Sequence, residues 1–295
     1  MKSGFVGLVG RPNVGKSTLL NSIIGKKVAI TSNKPQTTRN IIQGIYNEED
    51  TQIVFVDTPG VHKPNHKLGD YLNKQSYYSM NDADVILYLI DINEEFGKGD
   101  NFVLEKIRET KKPIILVLNK IDKLTNDMVL EKIKEYSEIY NFDEIVPVSA
   151  MKKRNTDELI KTIKKYLTDE YKYYDDNAIT NKPLTFQIAE IVREKVFNET
   201  KEEVPHSLTC VVEDIKKDSN SYHINVAIIV DRDNLKKIII GKQGSKLKNI
   251  GINARTELEQ LLNKKVYLET YVKTIKNWRD KEKYLQDFGF NDFDE

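Results

Sequence analysis

The chain has 295 residues, 39% apolar and 31% charged, with a formal net charge of +1. That length allows two domains with a core each, and the near-zero total charge points to no class of partner. A single cysteine, Cys210, excludes an internal disulfide or a cysteine metal site and fits a reducing, cytoplasmic setting. It sits in the β-like run Ser207–Val212, where a small core residue is the plain expectation. The opening residues are expected to belong to the fold rather than to a signal peptide. Apolar runs such as Val85–Ile90 and Ile114–Leu118 are strand-sized, far short of a membrane span. Peripheral contact with the inner face of the cell membrane has no sequence signal and stays open.

From the N-terminus, strands and helices alternate. Phe5–Val9 reads as a strand and Ser17–Ile24 as a helix, with Gly25 placed to end it. Lys26 to Asn40 reads as a polar loop. Ile41–Tyr46 and Gln52–Val56 form a hairpin across Asn47-Glu48-Glu49-Asp50. A second loop runs from Val61 to Lys67, and Leu68 to Met80 is helix-like. Val85–Ile90, Pro113–Leu118 and Ile145–Val148 read as strands, with helices over Asp100–Thr110, Asp127–Tyr140 and Asp157–Leu167 between and after them. Asn155, three residues before Glu158, predicts a capping box on the last of these helices. Continuous Val/Ile/Leu strands alternating with helices predict a mostly parallel, doubly wound α/β sheet covered on both faces, with the hairpin as its one antiparallel edge.

Thr168 to Lys182 is polar, tyrosine-rich and without clear period, and reads as a linker over residues 169–182. Beyond it the order changes. Pro183–Val196 reads as a helix, and Ser207–Glu213 and Tyr222–Val230 as strands. The apolar run Ile238–Ile240 precedes Gly241-Lys242-Gln243-Gly244. Helical patterns then reach Leu262, and Val266–Val272 closes as a strand. The predicted organisation is residues 1–168, the linker, residues 183–279 and an acidic tail at 280–295.

Gly10-Arg11-Pro12-Asn13-Val14-Gly15-Lys16-Ser17 has the form G-x-x-x-x-G-K-S between a strand and a helix, which is the setting a phosphate loop requires. Backbone N–H groups of such a loop and the following helix N-terminus face the β-phosphate. Lys16 reaches the β- and γ-phosphates, and the Ser17 hydroxyl ligates Mg²⁺. Asp57-Thr58-Pro59-Gly60 follows a strand, where the acid holds Mg²⁺ through water and the Gly60 N–H senses a γ-phosphate. Asn119-Lys120-Ile121-Asp122 lies at the end of another strand, where open α/β sheets bind ligands. The Asp122 carboxylate accepts two N–H bonds from guanine. Adenine lacks these donors, a difference that allows rejection by ~10⁴ or more. The Lys120 stem lies along the base plane. Ser149-Ala150, at the next strand end, offers backbone N–H groups to guanine O6.

With these motifs in this order, the chain resembles the translation-factor-type small GTPases, and among them the bacterial Era family. The resemblance rests on Gly10–Ser17, Pro35-Gln36-Thr37-Thr38-Arg39, Asp57–Gly60, Asn119–Asp122 and Ser149-Ala150, and on the region of Gly241–Gly244. It implies a P-loop GTPase domain joined to a C-terminal α+β KH domain of type II, binding GTP or GDP with Mg²⁺. The nucleotide site would include Thr18 beside the residues already named. Thr38 would be the threonine of the first switch loop that joins Ser17 and Asp57 at the metal. Only one G-x-x-x-x-G-K-S occurs, which excludes a double-GTPase ribosome factor. Cys210 lies mid-domain, which argues against a GTPase that modifies tRNA through a cysteine near its end.

Where Ras-like enzymes carry a water-orienting glutamine after the D-x-x-G glycine, this chain has Val61. The resemblance implies relatives with an apolar residue here, some using a K⁺ ion held partly by the asparagine that matches Asn13. Lys16, Thr38, Gly60 and Asn13 are thus the residues expected to act on hydrolysis. His62, in a proline-containing loop, is read as solvated rather than as a base.

Ile240-Gly241-Lys242-Gln243-Gly244-Ser245-Lys246 is a G-x-x-G loop of the kind that clamps about four single-stranded nucleotides in KH domains. Lys236 to Arg279 holds eleven basic and three acidic residues, against two basic and six acidic from Asp280 to Glu295. The basic stretch coincides with the loop and fits a nucleic-acid footprint. Val204-Pro205-His206-Ser207 also resembles the Era family. The resemblance implies that the RNA is the 3′ end of 16S ribosomal RNA and that the role is assembly of the small ribosomal subunit; a monomer is expected, with no residue pattern that fixes the oligomeric state. The alternative reading is a GTPase switch whose C-terminal domain docks a protein or another RNA.

Overall fold

The computed structural model describes residues 1–32, 34, 37–60, 67–200 and 204–290, and of residue 206 the backbone alone. Pro35, Gln36, Val61, His62 and the last five residues of the acidic tail lie outside the described residues. The described residues of Met1–Lys63 and Leu72–Asn181 form one compact unit, those of Pro64–Tyr71 and Lys182–Glu295 a second.

From Lys2 to Ile163 the elements run β1 (Lys2–Val9), α1 (Lys16–Ile24), β2 (Ile42–Glu48), β3 (Thr51–Asp57), α2 (Lys67–Asp82), β4 (Val85–Asp91), α3 (Lys98–Glu109), β5 (Ile114–Asn119), α4 (Asn126–Ile139), β6 (Glu144–Val148) and α5 (Thr156–Ile163). The sheet order is β2-β3-β1-β4-β5-β6, parallel throughout except for β2 against β3. The α/β expectation, with one antiparallel edge, therefore holds. Every residue of β3, β4 and β5 is buried, which is why these strands read as unbroken apolar runs rather than alternating ones. The register sets Leu8 beside Asp57, Asp91 beside Asn119 and Asn119 beside Val148. The carboxyl ends of the strands thus form one rim, and the loops leaving them meet.

One local expectation is overturned. Asn155 does not cap α5 with its side chain. It takes a left-handed φ of 60° and donates Nδ2 to the Pro147 carbonyl instead, so the capping box is absent. Residues 169–181 carry no regular element, yet they are tied along the β1–β3–β2 side of the sheet. Asp169 bridges to Ser3, Tyr173 and Tyr174 donate their N–H groups to Gln52 Oε1, and Thr180 bridges to Gly44 on the edge strand. The Gln52 side chain, fully buried, supplies the polar partners that a tyrosine-rich segment of irregular backbone needs.

The second unit runs α6 (Leu184–Glu199), β7 (Leu208–Lys217), β8 (Ser221–Val230), α7 (Asp233–Ile240), α8 (Ser245–Leu262), β9 (Lys265–Thr274) and α9 (Glu282–Asp287). Its sheet is β7-β8-β9, antiparallel then parallel. Ile250, Ala254 and Leu258 recur every fourth residue on α8 and join Ile188, Val192 and Val196 of α6 and the buried residues of β8 in one core. Cys210 is buried in this core, as expected of a small apolar residue. The run Ile238–Ile240 belongs to a helix, α7, that its β-branched composition disguised. At the end of the basic stretch Trp278 is fully buried and stacks on Phe290, and Leu285 is buried too, so the tail is folded through residue 290. Among the described residues no helix is long and apolar enough to cross a membrane.

Candidate functional site: a phosphate loop, an oxygen triad and a base-reading rim

The loop between β1 and α1 needs glycine at both ends. Gly10 has φ +157°, and a Cβ there would lie 2.4 Å from the Leu89 carbonyl. Gly15 has φ +102°, and a Cβ there would lie 2.3 Å from Asn119 Nδ2. Between them Pro12 fixes its own φ and Asn13 takes φ +66°. Lys16, at the start of α1, is buried and donates Nζ to the Gly10 carbonyl at 2.9 Å and the Arg11 carbonyl at 3.0 Å. Burial pushes its ammonium down to about 8, against the pull of the Asp57 charge. Thr18 lies in the first turn of α1, beside Ser17.

Three oxygen groups converge below this loop. Ser17 Oγ donates to Asp57 Oδ2 at 2.6 Å, lies 2.9 Å from Thr38 Oγ1, and Thr38 Oγ1 donates to the same carboxylate oxygen at 3.4 Å. Asp57 is fully buried, and its Oδ1 has no hydrogen-bond partner. Burial raises its pKa, against Lys16, Ser17 and Thr38, which lower it. A buried carboxylate oxygen without a partner beside two hydroxyls is a hard-oxygen donor set that suits Mg²⁺. Thr58 Oγ1 donates to the Leu8 carbonyl at 2.9 Å, and the Pro59 carbonyl accepts from Ser76 Oγ at 2.8 Å. Together they pin the turn after β3. Gly60 lies against Pro12, where a Cβ would come within 3.0 to 3.2 Å of the proline.

On the other side of the loop, Asn119 is the hub. Its Nδ2 donates to the Val14 carbonyl at 2.8 Å, and its Oδ1 accepts from Lys120 N at 2.8 Å and Ala150 N at 3.0 Å. One buried amide thus ties the ends of β5 and β6 to the phosphate loop. Lys120 has a left-handed φ of 69° and extends Nζ to the Asn13 carbonyl at 2.9 Å and to Asp91 at 2.7 Å. Burial pushes Asp91 up, but hydrogen bonds from Lys120 and Asn93 outweigh it and hold its pKa below the usual carboxylate value. Ser149 Oγ donates to Asp122 Oδ1 at 2.5 Å, which aims the carboxylate. The Ala150 N–H, expected to face a base, is engaged by Asn119. Asp91 and Asn93 were not anticipated as site residues. The signal for Asp91 is an acid at a strand end, in Ile90-Asp91-Ile92-Asn93.

In the second unit, Gly241 has φ 72° and Gly244 φ 76°, with Gln243 also left-handed at 50° between them. Ile240 ends α7, while Gly244 stands at the N-cap of α8, whose first residues are Ser245 and Lys246. Lys242 and Gln243 are exposed. The loop therefore offers backbone and one cation to solvent from the junction of two helices. Pro205–Ser207 form a short turn of helix, and the Ser207 carbonyl accepts from the buried Trp278 indole at 3.3 Å.

Comparison with known proteins adds the following. Residues 5–120 match the model of the 50S ribosome-binding GTPase family, and residues 203–279 match the KH domain. The chain is 45% identical to an Era point variant from Aquifex aeolicus crystallised with GDP and AlF₄⁻. The match covers 98% of this chain and 99% of that one at a TM-score of 0.95. A crystal structure of Era with MgGDPNP and nucleotides 1506–1542 of 16S ribosomal RNA matches with the same identity, coverage and score.

Proposed function

The chain belongs to the Era family of GTPases, and from that premise we propose that it binds and hydrolyses GTP with Mg²⁺ and carries the 3′ end of 16S ribosomal RNA on its KH domain. Its work is then small-subunit assembly in the cytoplasm, where that RNA is found. The observation that carries the GTP half is the Asn119 hub, which gathers the phosphate loop, the Lys120 loop and the Ala150 loop about a single point beside Asp122. The RNA half rests on the G-x-x-G loop between α7 and α8 within a chain matched from end to end by an Era–RNA complex.

Each residue has a physical task. Lys16 exchanges two backbone carbonyls for phosphate oxygens, which returns its buried charge to a full counter-ion. Ser17, Thr38 and Asp57 would hold Mg²⁺, which when bound offsets the negative charge that builds on the phosphates. Asp122, held by Ser149, accepts from the guanine edge, and the Lys120 stem covers the base plane. The Gly60 backbone, close against Pro12, stands where it can register a third phosphate. Asn13, exposed beside the loop, is where K⁺ would add positive charge during transfer. Turnover should be faster in KCl than in NaCl, and Asn13→Ala should abolish the difference.

The test of the whole reading is a pair of titrations on purified protein. Labelled GDP should be displaced by GTP and not by ATP. An RNA oligomer copying the 3′ end of 16S ribosomal RNA should bind with an affinity that differs between GDP and a non-hydrolysable GTP analogue. Equal displacement by ATP would remove the guanine reading, and absence of binding to that RNA would remove the ribosomal one.

A further inference from the structure

Arg11 is the first variable residue of the phosphate loop, and its guanidinium is engaged away from the loop's own backbone. Nη1 donates to Asp100 Oδ2 at 2.9 Å, and Nη2 lies 3.3 Å from Glu94 Oε2. Asp100 is only 2% exposed. The same Oδ2 accepts the Gly97 N–H at 3.0 Å, and the Asp100 carbonyl accepts the hydroxyl of the fully buried Tyr88 at 2.8 Å. The arginine stem lies on the first turn of α3, where a Cβ on Gly99 would sit 3.2 Å from Arg11 Cδ. At its other end, the Arg11 carbonyl is one of the two acceptors of Lys16 Nζ. A continuous set of contacts therefore runs from the core of β4, through Asp100 and Arg11, to the lysine that must meet the phosphates.

We infer that Asp100, acting through Arg11, is a positioning residue that fixes the phosphate loop in the shape that accepts a nucleoside di- or triphosphate. Gly10 leaves the loop's entry soft, and Pro12 has no N–H with which to anchor it. Lys16 and Lys120 hold the carbonyls of Gly10, Arg11 and Asn13 from one side of the loop, and the guanidinium clamp ties it to α3. A misplacement of about 1 Å in such a loop weakens a bound state or a reaction by roughly 10²-fold. The role is not one of contact with the nucleotide. Arg11 works from behind the loop, and Asp100 works through Arg11.

The inference rests on the reading of this loop as a guanine-nucleotide site, so wild-type affinity is measured first. Arg11→Ala, Asp100→Asn, Arg11→Lys and the double variant Arg11→Ala/Asp100→Asn are titrated with fluorescent GDP and a GTP analogue in Mg²⁺. Turnover at saturating GTP and thermal melting without nucleotide are measured alongside. Each of Arg11→Ala and Asp100→Asn should weaken both nucleotides about 10- to 100-fold, and Asp100→Asn, which lies outside the loop, should leave saturated turnover within a few-fold. The double variant should be no weaker than the worse single one, and Arg11→Lys should recover part of the loss. A simple charge effect has the opposite sign for Asp100→Asn, since removing an anion beside bound phosphate tightens binding. Tighter binding by Asp100→Asn, an additive double variant, or affinities equal to wild type would each overturn the inference. Arg11 is partly exposed, so Arg11→Ala carries the test if Asp100→Asn melts early. A folded wild type that binds no guanine nucleotide would overturn the underlying reading as well.

Discussion

Lys16 carries its own pH signature. Its pKa stands at 10.5 in an unfolded chain and at about 8 in the fold. Between those values the unfolded chain binds more protons, so stability rises with pH across that window. The cost of burying the charged form, roughly 3 kcal/mol, is fully present below pH 8 and fades as pH approaches 10.5. Phosphate at the site restores the charge, so nucleotide binding above pH 8 should take up a proton and weaken as pH rises. Calorimetry in buffers of different ionisation enthalpy reads that uptake, and a pH-independent affinity between pH 7 and 10 would contradict it. At Asp122, an amide in place of the carboxylate offers a donor where guanine also presents donors. Asp122→Asn should therefore lower GTP affinity by about 10²-fold or more and favour a xanthosine nucleotide, which presents a carbonyl at that edge. Competition titrations check both halves. Lys16, Ser17, Asp57, Asn119 and Asp122 were legible because each belongs to a local motif whose spacing is set by one strand end and one loop. Asp91 and Asp100 were not. They matter because β4 lies between β1 and β5, a fact of strand order that no short window of sequence contains.

At the scale of elements, the strands were the legible part and the exceptions have local causes. Long buried strands signal themselves by continuous apolar runs, whereas α7 is eight residues long and ends in three isoleucines, which favour strands, so it read only as an apolar run. Packing on the core through Leu235 and Ile239 overrides that preference. Asn155 likewise had a good cap partner in sequence, but its left-handed backbone turns the amide to Pro147. Residues 169–182 read as a linker because the order of 169–181 comes from the sheet side they lie on, not from their own period. Gln52 holds them by accepting two backbone N–H groups, from Tyr173 at 2.7 Å and Tyr174 at 2.9 Å, and by donating to the Tyr174 carbonyl at 2.8 Å. Gln52→Ala should thus cost about 1–3 kcal/mol through unpaired polar groups and release the segment. Trypsin cleavage after Lys172 should become faster in the variant, and unchanged digestion with an unchanged melting temperature would show that the segment is held by other means.

At the scale of the whole molecule, two sites on one chain make a switch only if each changes the other's affinity. The near-neutral total charge conceals a basic stretch around the G-x-x-G loop, so RNA affinity should fall steeply with salt. Lys242, exposed in that loop, should contribute as a phosphate contact. Lys242→Ala is expected to weaken RNA binding about equally for all sequences and to reduce the salt slope by about one. Reciprocity then supplies the stricter test. If a GTP analogue raises RNA affinity by some factor over GDP, saturating RNA must raise the preference for the analogue over GDP by that same factor, since both are the same free energy measured around a closed cycle. Coupling energies of this kind are typically about 1–3 kcal/mol, or roughly 5- to 150-fold. Weakening the RNA contact with Lys242→Ala should lower both affinities for RNA while leaving their ratio intact, because a phosphate contact made in both states cannot bias between them. Thr38→Ala should do the reverse, sparing RNA binding in GDP and collapsing the ratio towards one, because Thr38 bears on the metal and the third phosphate. A ratio that survives Thr38→Ala would mean that the nucleotide state is communicated without the oxygen triad of Ser17, Thr38 and Asp57.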